Sequence, residues 1–234
     1  MESNVSKLSK RQKEVIKTVE VQRKYLLEEA IVKLQECPKA KFDESVDISI
    51  KLGIDPKKSD QQIRSTVTLP HGTGKKSIIA VFARGQQLEE AKQAGADIVG
   101  SDDLVQKVKN GWTEFDAVIA TPDMMKEVGK LGKVLGPRGL MPTPKAGTVT
   151  TDVSRAITEL KSGKIEFRTD KTAGVNNAIG KISFSKEALL ENIKVFLQAI
   201  VRVKPATAKG EYIQRLVLSS TMGPGIKIDI QSAI

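Results

Sequence analysis

Five short segments, SIIAVFA (residues 77–83), QQLEEAKQA (86–94), DIVG (97–100), DDLVQKVK (102–109) and FDAVIA (115–120), set the middle of this chain apart from its ends. Apolar runs too short for helices alternate with stretches of helical character. Repeated βα units of this kind predict a parallel sheet with helices packed on its faces. Thr121 then supplies an N-cap and Pro122 a first helical position, so a third helix is expected from Pro122 to Val128. A further helix is expected over Asp152–Lys161, closed by Gly163.

The flanks read differently. Val46, Ile48, Ile50 and Leu52 alternate with polar residues, and Ile63, Ser65, Val67 and Leu69 keep the same period, the mark of half-buried strands. The period returns in Ile165 and Phe167, in Ile182 and Phe184, from Tyr212 to Ser219, and in Ile226, Ile228 and Ile230. Helices are expected from about Tyr25 to Cys37 and, capped by Ser185, from Lys186 to about Val203. Both would cover one side of the sheet and leave the other exposed.

The fold expected is therefore α+β and discontinuous. Residues 1–71 and 164–234 form a sandwich-like α+β terminal domain, and residues 72–163 form an inserted three-layer, Rossmann-like α/β domain. Gly72-Thr73-Gly74 and Ser162-Gly163, where the chain crosses, permit a domain rotation and suit a rigid pair equally well.

Composition bounds the function. The 234 residues carry 38 Lys and Arg against 28 Asp and Glu, a formal charge of +10, which favours a polyanionic partner. Aromatics are only 4%, too few for a base-stacking platform, so binding through phosphates, sugars and shape is expected. One cysteine, Cys37, and one histidine, His71, argue against a disulfide framework and a zinc finger. No apolar run approaches about 18 residues, so no membrane partner is expected. The first 24 residues hold seven Lys or Arg, three Glu and no apolar core, so no secretory signal is read there and a cytoplasmic location is expected.

Enzymatic motifs fail one by one. Gly74-Lys75-Lys76-Ser77 lacks the first glycine and the hydroxyl residue of a phosphate loop, and no G-x-G-x-x-G follows the first inserted strand. His71 has no cysteine and no carboxylate near it in sequence, and Asp102-Asp103 are ordinary first-turn carboxylates of a helix. No catalytic residue, metal ligand or cofactor is assigned. The rival reading, a phosphometabolite-binding α/β enzyme, lacks a nucleophile with its base.

Three stretches suit RNA. GKLGKVLGPRGLMPTPKAGTVTT (129–151) reads as a basic loop, with Lys130, Lys133, Arg138 and Lys145 and no acid. GKIEFRTDKTAGVNNAIGKISFSK (163–186) reads as two strands around a turn in which Arg168 and Lys171, held beside the Asp170 carboxylate, present donors for a phosphate and a 2′-hydroxyl, unless Arg168 and Asp170 simply pair. SSTMGPG (219–225) is a small polar turn whose Ser219, Thr221, Met222 and Gly223 suit sugar-edge contacts.

Longer runs carry a resemblance. KFDESV (41–46), LGIDPKKSDQQIRSTVTLPHGTGK (52–75), AGAD with IVG (94–100), LGPRGLMP (135–142), GKIEFRTDK (163–171) and TMGP (221–224) together resemble the L-one family of large-subunit ribosomal proteins, bacterial type, over nearly the whole chain. The resemblance implies a non-enzymatic protein of the mobile ribosomal stalk, placed among the other components of the large subunit, with no homo-oligomer expected. It would bind 23S rRNA near the transfer RNA exit site, assist release of deacylated tRNA, and repress its own operon mRNA by binding a similar RNA fold. Carried over to matching positions, the RNA contacts are Lys41, Phe42 and Ser45, then Arg168, Asp170 and Lys171, then Thr221, Met222 and Gly223. The chain departs from the family pattern at Thr143, Ala173, Asn176 and Ala178, where asparagine, glycine, histidine and proline are usual, so the turn after Lys171 is expected to differ in shape.

Overall fold

A computed structural model of the chain describes residues 10–20, 23–38, 40–208 and 210–233. The strands are β1 (Lys24–Tyr25), β2 (Ser45–Leu52), β3 (Arg64–Thr68), β4 (Ile79–Phe82), β5 (Ile98–Gly100), β6 (Ala117–Ala120), β7 (Lys164–Arg168), β8 (Gly174–Lys181), β9 (Ile213–Ser220) and β10 (Ile226–Ile228). The helices are α1 (Lys10–Thr18), α2 (Leu27–Glu36), α3 (Gln86–Gln93), α4 (Asp102–Lys109), α5 (Met125–Lys130), α6 (Gly132–Leu135), α7 (Val153–Lys161), α8 (Lys186–Arg202) and α9 (Ile230–Ala233). They fall into two compact units, Met1–Gly74 with Phe167–Ile234, and Lys75–Glu166. The fold is α+β.

In the terminal unit five strands form one sheet in the order β1-β10-β9-β2-β8. The pairs β10–β9, β9–β2 and β2–β8 are antiparallel, and β1 lies parallel to β10. The alternation read in β2 is real: Val46, Ile48, Ile50 and Leu52 are buried, while Ser45, Asp47, Ser49 and Lys51 are half-buried or exposed. The buried face meets Ala30, Ile31 and Leu34 of α2 and Leu189, Ile193 and Ile200 of α8. Phe167 and Phe196 cross edge to face beneath it, ring centres 5.4 Å apart. Helix α8 begins as expected, the Ser185 hydroxyl accepting the Ala188 N–H.

The insert has three layers. Its parallel sheet runs β5-β4-β6. Ile79, Val81 and Ile119 face Ala91 of α3 and Val153 and Ile157 of α7, whereas Ala80, Phe82 and Val118 face Leu104 and Val108 of α4 and Val128, Leu131 and Leu135 beyond. The Asp152 carboxylate caps α7 by accepting the Arg155 N–H at 3.1 Å.

Several local expectations need correction. The strand expected over Ile182–Phe184 lies earlier, at Gly174–Lys181; Asn176, Asn177 and the small residues around them hide its period, and Ile182 already turns out of the sheet. Ile230 opens a short helix instead of extending β10. Thr121 does precede a helical segment, but its hydroxyl makes no cap; a 3-10 turn over Pro122–Met124 leads into α5. The basic stretch 129–151 is not an open loop. It runs through α5, α6 and a 3-10 turn at Pro144–Ala146, because its apolar residues Leu131, Leu135, Leu140 and Met141 pack on the insert core between the cations.

Candidate nucleic-acid interface

At one end of the terminal sheet two segments distant in sequence meet. Val46 of β2 pairs with Ser220 of β9, so the chain entering β2 lies beside the turn leaving β9. Thr221 fastens them: its N–H donates to the Ser45 carbonyl at 3.0 Å, and its hydroxyl oxygen accepts the Ser45 N–H at 3.0 Å. On the other edge of β2 the Lys181 ammonium donates to the Ser45 hydroxyl at 2.9 Å, and the Ser183 hydroxyl donates to Asp43.

Beneath this corner lies Glu44, whose side chain is only 1% exposed. Its carboxylate accepts the Ser220 hydroxyl at 2.6 Å, the Ala40 N–H at 2.7 Å, the Met222 N–H at 3.0 Å and the Arg11 guanidinium at 2.9 Å. Burial alone would push this carboxyl up, but the bonds from Ser220, Met222, Ala40 and Arg11 together hold it below its ordinary value, so it is ionised at neutral pH. One buried charge thus fixes the backbone on both sides of the corner. Above it, Phe42 (54% exposed) and Met222 (60% exposed) project beside the exposed Lys41. Gly223 sits so close that a Cβ there would come within 2.3 Å of the Ser220 hydroxyl.

The structure therefore brings Lys41, Phe42, Ser45, Ser219, Thr221, Met222 and Gly223 together. It places Arg168, Asp170 and Lys171 elsewhere. They lead into β8, whose Gly174 pairs with Lys51, while Ser45 pairs with Lys181 at the other end of the same ladder. Asp170 does not pair with Arg168; its Oδ1 accepts the Thr172 N–H and hydroxyl and the Gly174 N–H, at 2.6–2.8 Å. Those bonds hold its carboxyl below the usual value, the Thr172 hydroxyl contributing most. Asp170 shapes its turn, and Arg168 and Lys171 stand exposed around it.

In the insert, Lys130 is occupied by Glu127 at 2.8 Å and Arg138 reaches the Thr113 hydroxyl. Lys133 and Lys145 are exposed, with no such partner among the described residues. His71 pairs with Glu191 at 2.7 Å, a carboxylate remote in sequence that motif reading could not supply. Among the described residues no group of three or more His, Cys, Asp or Glu could hold a metal ion, and no helix is long and apolar enough to cross a membrane.

Sequence reading missed Glu44, Lys181 and Arg11. The signal for Glu44 was present: it continues the inward parity of Val46, Ile48 and Ile50, where a carboxylate must have partners.

The profile of the Ribosomal protein L1p/L10e family matches residues 32–224. This chain belongs to that family. Among its relatives, the large ribosomal subunit protein uL1 of Protochlamydia amoebophila is 59% identical over 96% of this chain and 95% of its own length. The uL1 protein of Chlamydia caviae is 57% identical over 96% and 97%, and that of Kosmotoga olearia 55% identical over 97% and 99%. The L1p/L10e membership makes the chain a ribosomal protein of non-enzymatic kind, and the α/β enzyme reading falls with it.

Proposed function

We propose that this chain, a structural constituent of the large ribosomal subunit, docks a folded site of 23S rRNA at the mobile stalk through the corner built on Glu44. It works in the cytoplasm, within the ribosome. The observation that carries the reading is the Thr221–Ser45 clamp, which presents Lys41, Phe42 and Met222 outward on a backbone fixed from below. An apolar ring and a thioether next to small polar turns suit the sugar edge of a folded RNA, and Lys41 suits its phosphates. From the same seat the insert would reach exit-site tRNA and assist its release, and the same corner would grip a similar fold in the operon mRNA. Arg168 and Lys171 would take phosphates at a second point.

The test is binding to a stalk-region 23S fragment and to an unrelated hairpin of equal length as salt is raised. Retention of the stalk fragment at salt that strips off the hairpin supports specific recognition. A parallel fall of both leaves only the net charge as the binder. Thr221→Ala and Met222→Ala should erase the difference, and if both bind like the parent the corner is not the site.

A further inference from the structure

Helix α1 has little of its own to hold it in place. It has nine residues, fewer than the roughly 12–15 at which an isolated helix becomes even marginal in water. Arg11 and Lys13 stand near its start and its first turn holds no acid, the wrong sign of charge for a helix N-terminus. None of its described side chains is buried, and Ile16 is exposed. Val19, one residue past its end, is buried and pins that side.

The other side is pinned by Arg11. Among the described residues it is the one side chain of α1 with hydrogen bonds to a distant part of the chain: Nε donates to the Pro38 carbonyl at 3.1 Å and Nη2 to Oε1 of Glu44 at 2.9 Å. Pro38 and Glu44 bound the segment that presents Lys41 and Phe42. One planar guanidinium therefore grips both ends of that segment, with two N–H groups in a fixed fork that a lysine lacks. The oxygens of Glu44 divide the corner between them. Oε1 serves Arg11 and the Ala40 N–H, on the Lys41–Phe42 side, and Oε2 serves Ser220 and Met222.

We propose that Arg11 is a positioning residue for RNA recognition, closing the segment that carries Lys41 and Phe42 at its base, so that docking of α1 and seating of RNA are two halves of one equilibrium. The inference rests on the reading of the corner as an RNA site and extends it to a helix outside that corner. A segment held in shape beforehand loses less freedom when RNA binds. By linkage, RNA that fixes the segment must in turn tighten α1 on the terminal unit. Arg11 touches no RNA in this scheme, since its fork is engaged by Glu44 and Pro38.

The test compares the parent, Arg11→Met, Lys41→Ala/Phe42→Ala and the three changes combined, each below its own thermal transition, with the stalk-region 23S fragment and the unrelated hairpin as probes. Arg11→Met should weaken the 23S fragment about 5- to 50-fold, within the usual range of coupling between sites. On top of Lys41→Ala/Phe42→Ala it should cost less than about twofold, because the groups it positions are gone. Arg11→Lys keeps a charge beside Glu44 without the fork, so it should restore the thermal transition and recover only part of the binding. Saturating 23S fragment should slow amide exchange in α1 of the parent and leave it unchanged in Arg11→Met.

Parent-like affinity in Arg11→Met overturns the proposal. So does a full additive loss in the combined variant, since Arg11 would then meet RNA by itself. Full recovery of binding in Arg11→Lys overturns the two-point grip, and α1 amides slowed equally in Arg11→Met overturn the coupling, leaving RNA merely lying over the helix. Lys41→Ala/Phe42→Ala binding like the parent defeats the corner reading and this inference with it, whereas a loss there beside a parent-like Arg11→Met defeats the role of Arg11 alone.

Discussion

The Ser220 hydroxyl donates to the Glu44 carboxylate at 2.6 Å, across the same register at which β9 and β2 close their pairing. Four donors converge on this carboxylate, about as many as its lone pairs accept. Removing the acceptor leaves the buried Ser220 hydroxyl and the partly buried N–H groups of Ala40 and Met222 without this partner. Glu44→Ala is therefore expected to destabilise the terminal unit by about 2–4 kcal/mol, at roughly 1–3 kcal/mol for a buried polar group left unpaired and with Arg11 free to turn to water. Urea unfolding measures it. Glu44→Gln keeps the shape but turns two hydrogens toward other donors, so it should lose stability too; parent-like midpoints in both variants would show that the corner stands without the carboxylate.

Acid should undo the same site. The Glu44 carboxyl is held below its ordinary value of 4.5, and Asp170 and Asp116 are likewise lowered, Asp116 chiefly by the Lys75 ammonium. A carboxyl whose folded pKa is depressed contributes its full stability above the unfolded value, and that contribution fades as pH falls through the folded one. Asp47, raised by burial, works the other way and softens the loss. Thermal midpoints are expected to be insensitive to these groups from pH 7 to about pH 5 and to fall below about pH 4.5, with a shallower fall in Glu44→Gln. A midpoint that drops as steeply in the variant as in the parent would remove Glu44 from the acid response.

Gly223 and Gly129 make a matched pair. A Cβ at Gly223 would lie 2.3 Å from the Ser220 hydroxyl, which Glu44 holds in place, whereas a Cβ at Gly129 in α5 meets nothing within 4 Å. Gly223→Ala must push Ser220 off its acceptor or reshape the turn, an overpacking cost of about 1–3 kcal/mol. Selective RNA binding should weaken with it. Gly129→Ala should stabilise the insert by up to about 1 kcal/mol through helix propensity alone. Calorimetry with salt-titrated RNA binding separates the two, and a Gly223→Ala protein that retains both stability and selectivity would mean the turn has slack the structure does not show.

Much of this was legible because period is a local property. Alternation exposed β2 and β9, and the βα rhythm exposed the insert, since both report which side of an element is dry. Strand β8 hid because Gly174, Asn176, Asn177 and Ala178 carry no apolar stripe; its place is set by pairing with β2, a contact between residues over 120 positions apart. The site split the same way. Thr221 stood out in a small polar turn, and Lys41 and Phe42 came in only with the family resemblance, but that Thr221 closes on Ser45, or that Glu44 joins Ala40 to Met222, depends on register and cannot be read from either segment alone.

Ala173 is the one described residue other than glycine with positive φ, at +60°. Its carbonyl accepts the Leu52 N–H at 2.9 Å and its N–H donates to the Asp170 carbonyl at 3.2 Å, so the surrounding turn imposes the conformation. A left-handed conformation costs an L-residue about 1–2 kcal/mol relative to glycine, whose greater freedom when unfolded returns about 0.5–1 kcal/mol of that. Ala173 is buried, so the variant gives up the packing of one methyl. Ala173→Gly should therefore stabilise the terminal unit slightly, by up to about 1 kcal/mol, raising its transition by about 2–4 °C for each kcal/mol gained. The Asp170 turn keeps its hydrogen bonds in this variant, so RNA binding should keep its salt slope. A lowered transition would mean the buried methyl outweighs the backbone strain, and a changed salt slope would mean the turn's shape, more than its charges, is what meets the RNA.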